Sequence, residues 1–188
     1  GGPAGYVAAI RAAQLGGKVA LVEKDVVGGT CLNRGCIPTK TYLKNADTIE
    51  TIKKASKRGI MLRDASFTVD MEKMVKGKDR VVKRLTSGVA ALLKSYDIKV
   101  YHGVGKITRD KNVRVEGEII KAKKIILAGG SKAGKINIPG IESPLVLTSD
   151  EILSLKEIPE RLAIIGGGVI GVELGTAFKS FGSDVTII

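Results

Sequence analysis

Cys31 and Cys36 stand five positions apart in the stretch GGTCLNRGC, and the sequence holds no other cysteine. Such a pair can be a disulfide staple, two metal ligands or a reactive couple. Two cysteines in 188 residues are too sparse for the disulfide framework of a small secreted domain, and they point to a reducing, cytosol-like compartment. A zinc site needs four ligands, which the single histidine, His102, and two thiols do not supply. Two unconnected thiols or a redox couple remain.

The surroundings favour the couple. Cys36 precedes Pro38, a residue suited to a first helical turn, so the spacing predicts Cys36 near a helix N-terminus, where the dipole favours a thiolate. Lys40 adds a positive charge one turn along the same helix, and Gly28, Gly29 and Gly35 permit close backbone approach to a planar group. A bridge between the two requires Cα atoms roughly 4.4 to 6.8 Å apart. One continuous helix would separate them further, whereas an extended-to-helix transition across LNRG would bring them within reach.

The elements that carry these residues follow from an internal echo. Shifted by 166 positions, Gly2, Gly5, Gly16, Val19 and Val22 fall on Gly168, Gly171, Gly182, Val185 and Ile188. In the second copy RLAII reads as a strand, Gly166, Gly168 and Gly171 form G-x-G-x-x-G, VELGTAFKSFG has helical spacing and DVTII resumes a strand. That is a βαβ unit of dinucleotide-binding type: the glycines serve a sharp turn, close approach to a pyrophosphate and helix-on-strand packing, and the helix N-terminus faces the phosphates. In the first copy Gly2 and Gly5 are the second and third motif glycines. The strand KVALVE ends at Glu23, eighteen positions after Gly5, where a carboxylate would accept both hydroxyls of an adenosine ribose. The same spacing in the second copy reaches position 189, one beyond the last residue, so the side chain that separates NAD from NADP is not in the sequence.

Between the copies, residues 37–59 read as a helix. A second helical stretch carries Met71, Met74, Val75, Val82, Leu85, Val89, Leu92, Leu93 and Tyr96 at three-and-four spacing, an expected core stripe. KVYHGVGKIT, NVRVEGEII and KKIILAGG read as strands of an antiparallel excursion that returns to the main sheet. The Pro- and Gly-rich INIPGIESP marks a boundary, giving expected domains at 1–145 and 146–188. The opening GGPAGY starts inside a glycine motif and SDVTII stops inside a strand, so the chain is expected to be an internal segment of a longer protein.

Net charge is +12, yet basic residues are scattered at intervals that suit solvated faces, and aromatics make up only 4% with no Trp, which argues against base stacking and a nucleic-acid partner. The longest apolar stretches are broken by glycine and too short to span a bilayer, so a soluble, cytoplasmic protein is expected. His102, in a strand-turn pattern beside Tyr101, is expected to be a structural or surface histidine.

GGTCLNRGCIPTK resembles the redox-active disulfide motif of the flavin-dependent pyridine nucleotide disulfide oxidoreductases, and its CLNxGCIPTK form is most similar to their dihydrolipoamide-oxidising branch. The resemblance covers the segment through YHGVGKI, IILAGGS, IPGI and ERLAIIGGGVIGVELG. Glutathione and mercuric reductases share the cysteine spacing but usually carry Val where this chain has Ile37. Where many members have Ala-Thr-Gly-Ser, this chain has Ala128, Gly129, Gly130 and Ser131, which removes any side-chain role at position 129. The implied fold is α/β, a Rossmann-like FAD-binding domain with a parallel sheet and helical and antiparallel insertions, followed by the first βαβ half of a Rossmann-like NAD-binding domain. The implied activity passes electrons from a dihydrolipoyl group through a Cys31–Cys36 disulfide and FAD to NAD. In that scheme Cys31 is the interchange thiol and Cys36 faces the flavin. Gly2, Gly5, Glu23, Thr30, Lys40, Gly105 and Gly130 contact FAD, and Gly166, Gly168, Gly171 and Glu173 line the nicotinamide side. Lys40 and Glu173 are expected to form a direct ion pair where the two cofactors meet, because neither charge is economical if buried alone. The family base is a histidine of the other subunit of a homodimer, unmatched by any residue here. The implied partners are a lipoyl-carrying protein and a 2-oxo acid dehydrogenase or glycine cleavage complex. A related disulfide reductase and a non-catalytic flavin redox sensor share the same residues.

Overall fold

The computed structural model of the chain describes residues 1–64, 66–134 and 136–188. In order, the elements begin with α1 (Pro3–Gln14), β1 (Ala20–Glu23), α2 (Gly29–Arg34), α3 (Cys36–Lys53), a 3-10 turn at Ser56–Arg58 and α4 (Met71–Ser95). There follow β2 (Lys99–His102), β3 (Lys106–Ile107), β4 (Val113–Val115), β5 (Glu118–Ile120), α5 (Ser149–Ile152), β6 (Arg161–Ile164), α6 (Val169–Phe181) and β7 (Asp184–Ile187). Packing gathers these into two compact units, one of Gly1–Asn33 with Val82–Lys132 and one of Arg34–Val81 with Ala133–Ile188.

In the first unit Pro3 sits in the opening turn of α1, where its missing N–H costs nothing. The helix ends at the alanine-rich turn before Gly16, whose φ of +83° only glycine adopts readily. The chain then enters β1, which pairs in parallel with β2, Ala20 opposite Lys99 through Glu23 opposite His102. Strands β3, β4 and β5 form an antiparallel sheet. Its β4–β5 turn is Glu116-Gly117, both at positive φ (45° and 86°), the geometry that matches strand twist in a two-residue hairpin.

In the second unit β6 and β7 pair in parallel and α6 connects them, which is the βαβ unit expected from the second glycine motif. Its core is Tyr42, Ala46 and Ile49 of α3, Met71, Ile152, Leu153, and Leu174, Ala177, Phe178 and Phe181 of α6, all buried. Tyr42, Phe178 and Phe181 meet edge to face, with ring centroids 5.6 to 6.3 Å apart. A capping box opens α5: the Thr148 hydroxyl accepts from the Asp150 N–H while the Glu151 carboxylate returns to the Thr148 N–H at 2.6 Å.

Several expectations change. The helix expected over 37–59 ends at Lys53 and passes through the 3-10 turn to Gly59, left-handed at φ +77°. The stretch LNRG is not an extended-to-helix transition: Leu32, Asn33 and Arg34 belong to α2, held by Leu32 N–H to Gly28 O and by the Asn33 amide to Val27 O and Gly29 O, and the helix breaks only at Gly35. KKIILAGG forms no ladder, and Ile126 and Leu127 remain 70% and 80% exposed. A strand without a neighbour has no partner for its backbone groups, and no described residue pairs with this one. Met71, Val89 and Leu93 of the α4 stripe are buried as expected, whereas Leu85, Leu92 and Tyr96 stay exposed. Within the second unit α3 packs on α6, so that unit draws on two separate stretches of the chain.

Candidate functional site

In the first unit Gly2 caps α1 in an extended conformation, and no side chain caps the helix. The loop after β1 folds back on this end: Gly28 N–H donates to Gly1 O at 2.8 Å, and Gly29 turns at φ +57°. A Cβ at Gly29 would lie 2.5 Å from Gly2 Cα, so only glycine lets α2, with Thr30 and Cys31, start beside the α1 terminus. Glu23 ends β1, its carboxylate accepting the Asp25 N–H at 2.9 Å. Gly5 is buried, with ordinary van der Waals room toward Ala128 and Leu21. Gly105 approaches Val22, and Gly130 turns at φ +70° in open space. His102 lies exposed at the end of β2, as a surface histidine should.

In the second unit Gly166 makes the sharp turn at φ +102°, and Gly168 caps α6 with extended backbone and no side-chain cap. Gly166, Gly167 and Gly168 each face open space, so the turn leaves room for a group to approach the uncapped first-turn N–H donors. Gly171 is the packing glycine: a Cβ there would lie 2.8 Å from Gly166 O and 2.9 Å from Ile164 Cγ2. Two glycine-capped helix ends without side-chain caps, one of them followed by a strand ending in a carboxylate, fit the phosphates and ribose of a dinucleotide in their donor and acceptor chemistry.

Cys36 is the exposed first residue of α3, behind the Gly35 cap, so it stands at a helix N-terminus as its spacing required. Cys31 lies in the preceding helix, so the two cysteines do not share one regular helix. One turn along α3, Lys40 Nζ reaches Glu173 Oε1 of α6 at 2.5 Å, with the two side chains 58% and 26% exposed. The pair expected from sequence is thus present, but it is solvent-accessible and not buried as that expectation assumed. Beside it opens a shallow recess of about 320 Å³ lined by Ile37, Lys40, Thr41, Lys44, Asn45 and Val81.

Nothing local in the sequence points to the part that Tyr42 plays. Fully buried two residues after Lys40, it donates its hydroxyl to Leu153 O at 2.8 Å. Burial, reinforced by the Asp79 carboxylate, pushes its phenol up to about 12. The spacing of Tyr42, Ala46 and Ile49 signals a buried face of α3, but nothing local says that α6 covers it. Among the described residues no group of His, Cys, Asp and Glu is placed to hold a metal ion, and no helix is long and apolar enough to cross a membrane.

The chain is 54% identical over its whole length to a dihydrolipoyl dehydrogenase of Acholeplasma laidlawii, of which it covers 57%. It is 46% identical to one of Chlamydia trachomatis, covering 41% of that protein, and 43% identical to one of Bacillus subtilis, covering 42%. The chain thus spans about half the length, or less, of these relatives. Among solved structures, 99% of it superposes on 40% of the HOCl-induced flavoprotein disulfide reductase RclA of Escherichia coli, with a TM-score of 0.82 and 35% identity. The family described as pyridine nucleotide-disulphide oxidoreductase matches residues 1–188, and the chain belongs to that family.

Proposed function

We propose that the chain is part of a dihydrolipoyl dehydrogenase, an FAD-containing enzyme that oxidises dihydrolipoyl groups on a carrier protein and reduces NAD. The observation that carries this reading is the run of Cys36 and Lys40 at the start of α3, with Lys40 ion-paired to Glu173 on the helix of the second glycine motif. It links the thiol chemistry to the dinucleotide motif within one packed unit.

Residues 1–145 are assigned to the FAD domain, with Gly2, Gly5, Glu23, Thr30, Lys40, Gly105 and Gly130 holding FAD. Residues 146–188 begin the NAD domain, where Gly166, Gly168 and Gly171 hold the pyrophosphate. FAD, when bound, supplies a two-electron carrier between dithiol and pyridine nucleotide. In the oxidised protein a dihydrolipoyl thiolate attacks the Cys31 sulfur, the Cys31–Cys36 bond breaks, a mixed disulfide forms and Cys36 leaves as thiolate. The second substrate thiolate then displaces Cys31, closing the lipoyl disulfide and leaving both electrons on the protein dithiol. The base that takes the substrate proton is a histidine of the partner subunit in a homodimer. Cytoplasmic assembly with a 2-oxo acid dehydrogenase or glycine cleavage complex follows from the same reading.

The full-length protein should be yellow, and dihydrolipoamide should reduce NAD faster than NADP. Cys31→Ser and Cys36→Ser should each abolish that turnover while retaining flavin. A colourless protein, or full turnover in either variant, would overturn the reading. The likeness to RclA favours a second reading, a flavoprotein reductase of another disulfide; turnover with a small disulfide and none with dihydrolipoamide would select it.

A further inference from the structure

We infer that Tyr42 is a positioning residue for the Lys40–Glu173 pair: its ring seats α3 on α6, and its hydroxyl ties α3 to the chain segment that leads into β6. The inference rests on the reading above only for the use made of that pair. Lys40 is more than half exposed, and an ion pair in that setting is too weak to hold two helices in one register against thermal motion. The register must come from packing. Tyr42 lies two residues from Lys40, is fully buried, and meets Phe178 and Phe181 edge to face, five and eight residues beyond Glu173 on α6. Its hydroxyl satisfies the carbonyl of Leu153, the residue that closes α5. Leu153 and Tyr42 are both in the buried core, where a carbonyl without a donor is costly, so the hydrogen bond selects one placement of this segment. One side chain thereby touches α6 with its ring and the α5 end with its oxygen, and both lead to the βαβ unit that bears Glu173.

The test is amine acetylation of the full-length, flavin-loaded protein, read residue by residue by mass spectrometry as the ratio of Lys40 to Lys44, its neighbour on the same helix. Tyr42→Leu, which removes ring and hydroxyl, should raise the ratio at least threefold. Tyr42→Phe, which keeps the ring contacts, should raise it by less but above wild type. In a Glu173→Gln background, where the pair is already broken, Tyr42→Phe should leave the ratio unmoved. An unchanged ratio in Tyr42→Phe, or an equal change with and without Glu173, overturns the inference, and it does so even if Tyr42→Leu fails to fold. A flavin-loaded wild type that does not turn over dihydrolipoamide would sink the proposed function while leaving the labelling comparison intact.

Discussion

Replacing Gly171 by Ala should destabilise the second glycine motif, and replacing Gly175, one turn further along the same helix, should not. At Gly171 the new Cβ would meet Gly166 O at 2.8 Å and Ile164 Cγ2 at 2.9 Å. The first of these is a backbone atom that cannot swing away, since Gly166 N–H is bonded to Ile188 O at 2.9 Å and its φ is +102°. Overpacking of this kind costs about 1 to 3 kcal/mol, and the better helix propensity of Ala returns about 1 kcal/mol. Because the obstacle is rigid the upper part of the range applies, so Gly171→Ala should cost about 2 kcal/mol net, roughly a thirtyfold shift in the folding equilibrium. At Gly175 the short contact, also 2.8 Å, is to Ile164 Cδ1, the far end of a flexible side chain, with Val185 Cγ1 at 3.4 Å. A rotamer change there is nearly offset by the helix gain, leaving a net effect within about 0.5 kcal/mol of zero. Urea unfolding of the full-length protein, followed by circular dichroism, gives the midpoints at constant slope. A Gly175→Ala midpoint as low as that of Gly171→Ala would refute the distinction between backbone and side-chain obstacles.

Tyr42 should make the protein sensitive to alkali. Its folded phenol sits near 12, above the ordinary 10, so the folded state keeps a proton that the unfolded state loses. The stability it contributes is fully present below pH 10 and falls as pH rises through 12; thermal melts of wild type against Tyr42→Phe should converge across that window, and a constant gap would refute it. Lys40→Arg keeps the charge but not the shape, so it should move the melting temperature by less than about 3 °C while altering the reduced-flavin spectrum and the rate of pyridine nucleotide reduction. An unaltered spectrum and rate would detach Lys40 from the chemistry. Thr148→Ala removes the α5 cap and should cost about 1 kcal/mol in denaturation midpoints, with Thr148→Ser restoring most of it; equal stability of all three proteins would show the cap to be idle.

What could be read from the sequence was what is local in it. The helix start at Cys36, the βαβ unit around Gly166, Gly168 and Gly171, and the strand ending in Glu23 depend on residues within about one turn or one hairpin of each other, and glycine and proline mark them directly. The contact of Lys40 with Glu173 is legible only through the two motifs that the resemblance brings together. By contrast, α2 has no periodic trace in the sequence, because what locks it is the Asn33 amide bonded to Val27 O and Gly29 O. The run IILA looks like a strand by composition, but pairing is decided by a neighbour, which composition does not report. Tyr42 is illegible for the same reason: its partners Leu153, Phe178 and Phe181 are more than a hundred residues away.

Magnitudes also explain why motif residues alone do not account for the second unit. A pair as exposed as Lys40 and Glu173 contributes about 0.2 to 1 kcal/mol, and some of that is spent ordering two long side chains. Each edge-to-face aromatic contact adds about 0.5 to 1.5 kcal/mol beyond the area it buries, and there are three such contacts among Tyr42, Phe178 and Phe181. Burying each of those side chains adds about 1.5 to 3 kcal/mol more before conformational entropy is charged against it. The sum favours the aromatic cluster several times over. The cluster therefore sets the register of α3 on α6, and the ion pair reports that register without creating it.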